Sequence, residues 1–300
     1  MPAGEPGGPD SEVFWDFGDK LRLHEESRWK DSLCHPNCDC GRFLEIGNSV
    51  FMEYRKRVRI ETLPSPLPTR EGIGEFEPLS QKNIDFGGGL ERMAAALKDE
   101  PDIFMIDVFD AMRATLERVS GKQYGKNEDD TKAFRVILDH LRAATFLIAD
   151  GAHPSNKDQG YFTRRLMRRS IRYANQLGIK DHFCAELSRS VIETYKEAYP
   201  DLARHQSIIE MEMEKEETKF RETLSRGMDV FQEILRTKKQ EPMITGAEAF
   251  DLYQSFGFPL EMTEELARER GLTVDVDGFK LEQGKHQAVS RQGAEKKFHG

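Results

Sequence analysis

The hydrophobic pattern changes period once, near residue 103, and that change divides the chain into two kinds of structure. Before it, short stretches alternate. SEVFWDF (11–17) reads as a strand. FLEIGNSVFMEYRK (43–56) reads as a longer one, with Phe43, Glu45, Gly47, Ser49 and Phe51 on one face and Leu44, Ile46, Asn48, Val50 and Met52 on the other. A Pro/Gly-rich, hairpin-like connection follows over 63–78, then a short strand, a glycine-rich turn at 87–89 and a helix beginning MAAALKD. After residue 103 the apolar residues recur every three or four. FRVILDHLRAATFLIAD (134–150), 160–178, 183–198, 206–237, GAEAFDLYQSF and TEELARERG all fit amphipathic helices. The expected class is α+β, an antiparallel sheet followed by an all-α domain. The expected boundaries are 1–102, 103–270 and a polar, partly disordered tail over 271–300, with 1–10 as an irregular entry.

Charge and composition narrow the function classes. Forty-four basic and 53 acidic side chains give a net charge of −9, and 32% of residues are charged. That suits helices with broad solvated faces and argues against wholesale coating of nucleic acid, while leaving room for a local basic stripe. No apolar run approaches the ~20 residues that span a bilayer, so no membrane partner is expected. Cys34, Cys38, Cys40 and Cys184 are too few and too clustered for a disulfide framework, which points to a reducing compartment and a cytoplasmic protein. A Cys34/His35/Cys38/Cys40 cluster has the right donors for Zn²⁺. Yet C-x3-C-x-C is not a standard spacing, and neighbours such as Cys34 and His35 rarely share one ion. No metal centre is expected, with Cys34, Cys38 and Cys40 the remaining candidates.

Two patterns carry chemistry. In IDFGGGLER, three glycines between a strand and a helix let backbone approach a ligand closely. Asp85 at the strand end can hold an ammonium, and Arg92 in the first helical turn can reach a phosphate. Neither a Walker A motif nor a dinucleotide fingerprint is present as written. In the helix 160–178, Arg164, Arg165, Arg168, Arg169 and Arg172 form a basic stripe beside Tyr161 and Phe162. Phosphate contact is the favoured reading, against a solvated face pairing with the acidic helix 206–222.

NIDFGGGLER resembles motif 3 of the class II aminoacyl-tRNA synthetases. It is closest to the alanyl-tRNA synthetase family, where the run is Asn, an apolar residue, Asp, Thr, Gly, Met, Gly, Leu, Glu, Arg. FLEIGNSVFMEY resembles that family's Glu-Ile-Trp-Asn-x-Val-Phe-Met-Gln-Tyr strand, and GPDSEVFWDFG the segment before it. Residues 134–173 resemble the helical tRNA-recognition region, and AFDLYQSFGFPLEMTEELARERG a further block of the same family. The resemblance implies ATP-dependent activation of alanine and its transfer to tRNA, with ATP, Mg²⁺, L-alanine and an alanine-specific tRNA as partners. It implies that Asp85 binds the alanine α-amino group and that Asn48, Val50 and Gly87 line the amino-acid pocket. Arg92, Gly89 and Glu45 would serve ATP, with Glu45 nearest the phosphates and Mg²⁺. Asn156 and Gln254 would read the acceptor stem, and Arg164, Arg165, Arg168 and Arg169 would contact tRNA.

There are departures. Gly47 stands for the family's Trp, Phe86 and Gly88 for its Thr and Met, and Gln254 for its Asp. No segment resembles motif 1 or motif 2, including the motif 2 arginine that contacts the α-phosphate, and no editing-domain metal motif is found. The chain is therefore expected to be an internal or truncated piece: the C-terminal half of the catalytic domain plus the recognition helices, inactive by itself. The alternative is a non-catalytic RNA-binding paralogue.

Overall fold

The computed structural model describes residues 4–57, 76–238 and 242–286. Most of the hairpin-like connection expected over 63–78 lies outside the described residues. The chain forms two compact units, Met1–Asp107 and Val108–Gly300.

The first unit is built on a long central strand, β3 (Phe43–Lys56). Along one edge run β1 (Pro6–Gly7) and β2 (Asp10–Asp16), and along the other runs β4 (Phe76–Gly88), all antiparallel. The N-terminal segment expected to be irregular thus contributes β1. Edge position explains why β4 tolerates Pro78, which cannot donate to a ladder. The β2–β3 register is offset by one residue. Val13 faces Gly47 and Phe14 faces Glu45, so Ile46 has no partner. This bulge reverses the alternation below it. Strict alternation puts Glu45 and Asn48 on opposite faces, whereas the bulge puts them on the same one.

The glycine run differs from its expected form as well. Gly87 and Gly88 lie in β4, and Gly89 alone joins the strand to α1 (Leu90–Leu97) as its N-cap. The Gly89 N–H donates to the Ile46 carbonyl at 3.1 Å, so the ladder continues up to the helix start. No loop is needed because the last strand residue and the helix cap share one hydrogen-bonding edge of β3.

The second unit is helical: α2 (Asp110–Ser120), α3 (Glu128–Ala149), α4 (Asp158–Gln176), α5 (Cys184–Tyr195), α6 (Pro200–Arg204), α7 (Gln206–Thr237), α8 (Gly246–Phe256) and α9 (Leu260–Arg268). The local signals are strong. Asn127 caps α3, its side chain accepting from the Asp130 N–H at 3.0 Å, with Glu128, Asp129 and Asp130 in the first turn. Thr245 and Glu248 form a capping box on α8. Phe134, Ile137, Leu138 and Leu141 of α3 are fully buried, as are Met167 and Ile171 of α4 and Ile209, Met213, Phe220 and Phe231 of α7. Gly227 in α7 serves packing: a Cβ there would lie 2.5 Å from the Phe258 ring.

One cap comes from another helix. The first amides of α5 are met by Glu217 of α7, which is fully buried and accepts from Phe183 N–H (3.1 Å) and Cys184 N–H (2.9 Å). Arg221 neutralises it at 2.8 Å.

Within the stretch expected to be a partly disordered tail, Thr273–Val274 pairs in parallel with Met243–Ile244. Residues 276–286 are helical. Buried Phe279, stacked edge-on against Phe250 and Tyr253, supplies the apolar anchor that the polar composition obscures. Residues 287–300 lie outside the described residues.

Candidate functional site

In the first unit, strand register gathers the site. Cross-strand partners share a face of the sheet. Asn48 pairs with Gly87 and Val50 with Asp85, so the four residues assigned to the amino-acid pocket form one patch. Asp85 is exposed and has no ion-pair partner among the described residues. A Cβ at Gly87 would meet nothing within 4 Å, so the glycine leaves the space above the patch open.

The bulge at Ile46 brings Glu45 onto the same face as Asn48. Arg92, in the first turn of α1, places Nη1 3.2 Å from the Glu45 carbonyl and 3.4 Å from Glu45 Oε2. Gly89 packs under the Arg92 stem, where a Cβ would stand 3.0–3.2 Å from it. The carboxylates of Glu45 and Asp85 and the guanidinium of Arg92 therefore border one open polar face.

Two of the departures belong together and lie elsewhere. Gly47 and Phe86 occupy the opposite face of the sheet, where a Cβ on Gly47 would be 3.2 Å from the Phe86 ring. The aromatic bulk that the family carries at the first position is supplied here from across the ladder. Register places both on the face of the sheet opposite Asn48, Val50, Asp85 and Gly87.

In the second unit a cleft of about 680 Å³ opens between the N-terminal part of α4, α7 and α8. Asn156 and Gln254, far apart in sequence, both line it, together with Arg164, Arg168, Lys157 and Lys219. Asn156 Oδ1 accepts from Arg164 Nη1. Gly160 permits the 151–156 turn to fold against α4, since a Cβ there would collide with the His153 carbonyl oxygen at 2.2 Å.

The arginine stripe has a different environment from the one expected. Arg168 is only 6% exposed, binds Glu216 with Nε at 2.7 Å, donates to the Gly257 carbonyl and lies over Phe220. Arg165, Arg169 and Arg172 face an acidic ladder on α9. Arg165 pairs with Glu261 at 2.6 Å, Arg169 with Glu265 at 2.6 Å, and Arg172 with Glu265 at 3.3 Å and with Glu269. Tyr173 Oη also donates to Glu265 at 2.7 Å. Burial raises the Glu265 carboxyl, but hydrogen bonds from Arg169 and Tyr173 and the nearby positive charges outweigh it and hold the group at about 2. These arginines fasten α4 to α7 and α9. The stripe pairs mainly with α9, which the sequence reading did not consider. Lys157 and Lys219 lie outside the arginine run, Lys157 just before α4 and Lys219 between Lys215 and Arg221 in the charged stretch of α7. They are exposed on the cleft with no ion pair among the described residues.

The β2–β3 connection holds a third constellation. His24, Cys34, Cys38 and Cys40 bring one donor atom each to within 4.8 Å of one another. His35, grouped with the cysteines by adjacency, is exposed and outside the cluster. Nine residues of irregular loop separate His24 from Cys34, so nearness in sequence does not group them.

The chain thus carries a strand-borne patch of Asn48, Val50, Asp85 and Gly87 beside the Glu45–Arg92 pair, and a helical unit with a polar cleft. The chain belongs to the tRNA synthetases class II (A), whose family model matches residues 1–299. It is similar to an alanine–tRNA ligase of Borreliella afzelii, 41% identical over 98% of this chain and 46% of that protein. It is also similar to the alanine–tRNA ligases of Treponema pallidum (38%, covering 100% of this chain and 47% of that one) and Geobacillus thermodenitrificans (38%, 95% and 31%). The chain thus spans less than half the length of these relatives. Among the described residues no helix is long and apolar enough to cross a membrane.

Proposed function

We propose that this chain carries the alanine-binding sheet face and the tRNA-recognition helices of a cytoplasmic alanine–tRNA ligase. The observation that supports this most is the register that pairs Asn48 with Gly87 and Val50 with Asp85 beneath Arg92 and Glu45.

On this reading Asp85 holds the alanine ammonium. Asn48, Val50 and Gly87 leave room for a methyl group. Arg92, braced by Glu45 and Gly89, meets the phosphates of ATP. Glu45 keeps an oxygen for a phosphate-bound Mg²⁺, an ion that suits one carboxylate plus substrate oxygens and supplies charge neutralisation there. The protein's share of catalysis is positioning and stabilisation of phosphoryl charge. In the cleft, the Asn156 carbonyl oxygen is engaged by Arg164, which leaves the amide N–H groups for acceptors on a base edge. Gln254 both donates and accepts. Exposed Lys157 and Lys219, with Arg164, are suited to the tRNA backbone, while Arg168 and Arg169 act chiefly by holding the helices.

The second reading, a tRNA-binding module without activation, is favoured by the exposed Lys157 and Lys219, which line the cleft with no ion pair among the described residues. Two assays on the purified chain separate the readings. Binding of a non-hydrolysable alanyl-adenylate analogue is expected to exceed that of the valyl analogue and to require Asp85. Equal binding of both analogues would remove the ligase reading. Alanine-dependent ATP–pyrophosphate exchange by the chain alone is expected to fall far below that of a full-length alanine–tRNA ligase on the module reading, and a comparable rate would overturn that reading.

A further inference from the structure

The connection between β2 and β3, residues 18–42, has no regular strand or α-helix and almost no core. Leu21 and Leu33 are 45% and 85% exposed, and the only buried side chain in the stretch is that of a histidine, His24. Its base is closed by the Phe17 N–H to Arg42 carbonyl bond and by Arg42 on Asp16. Nothing apolar explains the order of its interior. Segments too small to bury a core are held by disulfides or metals, and all four cysteines of the chain are free thiols.

We propose that His24, Cys34, Cys38 and Cys40 form a structural zinc site that holds this loop.

Two of the six donor–donor edges match a tetrahedral ion, and all four donors lie within 4.8 Å of one another. Tetrahedral zinc with Zn–S of about 2.3 Å and Zn–N of about 2.0–2.1 Å implies S···S edges of about 3.8 Å and S···N edges of about 3.6 Å. The Cys34 Sγ to Cys40 Sγ distance is 3.9 Å, and Cys38 Sγ to His24 Nδ1 is 3.6 Å. The first is far longer than the ~2.05 Å of a disulfide bond.

An outer partner sets the histidine. His24 Nε2 lies 3.0 Å from the Ser32 carbonyl oxygen. A carbonyl accepts only, so Nε2 carries the proton and the Nδ1 lone pair points at the sulfurs. This is the usual way a metal-bound imidazole has its tautomer fixed. Three thiolates and one imidazole favour zinc over the hard cations of phosphate chemistry. Binding releases the thiol protons and requires no oxidant. The ion would lock the loop that delivers the chain from β2 to Phe43, the first residue of the strand carrying Glu45, Asn48 and Val50.

The test uses the full chain, made in zinc-supplemented cells and purified under reducing conditions without chelator. Metal analysis is expected to give about one zinc per chain. Exchange for Co²⁺ is expected to give thiolate-to-cobalt charge transfer and the intense visible bands of a tetrahedral ion. His35→Ala is expected to keep the metal, His24→Cys to keep it as a four-thiolate site, and Cys40→Ser to lose it or bind it weakly. A zinc-free protein whose Cys34, Cys38 and Cys40 are alkylated equally fast with and without added zinc overturns the proposal. So does retention of stoichiometric zinc by a Cys34→Ser/Cys40→Ser double variant, or a Cys34–Cys40 disulfide in protein kept reduced.

Discussion

Gly87 is the residue at which fold and ligand recognition separate most cleanly. Its Cβ position is empty of protein atoms, and its backbone is not in the left-handed region, so an alanine side chain fits without strain. That methyl group would stand on the face shared by Asn48, Val50 and Asp85. Gly87→Ala is therefore expected to leave stability within about 0.5 kcal/mol and to weaken the alanyl-adenylate analogue on the order of tenfold, about 1.4 kcal/mol. Calorimetric binding alongside a denaturant melt reads both. An unchanged Kd for the analogue places the ligand off this face. Asp85→Asn tests the charge alone: it preserves shape and removes the partner of an ammonium, a loss on the order of 2 kcal/mol for a well-desolvated pair. The loss is expected with the analogue and is not expected with ATP.

At the scale of elements, the join between α4 and α9 is electrostatic and has a pH signature. Arg165, Arg169 and Arg172 meet Glu261, Glu265 and Glu269, residues four apart on one face of α9. Glu265 sits at about 2 in the folded chain, below the 4.5 of a free glutamate. A depressed carboxyl stabilises the fold above its unfolded pKa, and the contribution disappears as pH falls from about 4.5 towards 2. Discounted for partial solvent screening, it amounts to about 1–2 kcal/mol. Urea melts from pH 6 to pH 3 are expected to lose more than half of that amount beyond the loss seen in Glu265→Gln, the remainder going below pH 3. Parallel pH profiles would mean the ladder is not coupled to folding. Arg168→Ala is expected to act more severely, about 3 kcal/mol, because it strips the principal partner from buried Glu216. Arg164 Nε, 3.3 Å from Glu216 Oε1, only partly replaces it.

For the whole molecule, the division of labour among cations predicts how tRNA binding depends on salt. Lys157→Ala and Lys219→Ala are each expected to weaken all tRNAs alike and to flatten the log–log salt dependence by about one unit per lost phosphate contact. Asn156→Ala is expected to leave the slope alone and to reduce the preference for an alanine acceptor stem over one with an altered base pair by roughly 1–3 kcal/mol. Fluorescence anisotropy at several salt concentrations measures both. Slopes unmoved by either lysine change would count against the cleft as the contact surface.

Periodicity and motif order were legible in the residues themselves. The switch near residue 103 and the NIDFGGGLER run depend on neighbours a few positions away, so local sequence suffices to specify them. Pairings across the fold were not legible. The bulge at Ile46 depends on how β2 meets β3, and it alone carries Glu45 to the face of Asn48. The partners of the arginine stripe lie nearly a hundred residues downstream on α9, and the histidine beside Cys38 lies on the far side of an irregular loop. Charge and donor type can be read from a sequence. Whether an arginine is spent on a glutamate or left for a phosphate, and which histidine completes a set of thiols, depends on distances that exist only once the chain has folded.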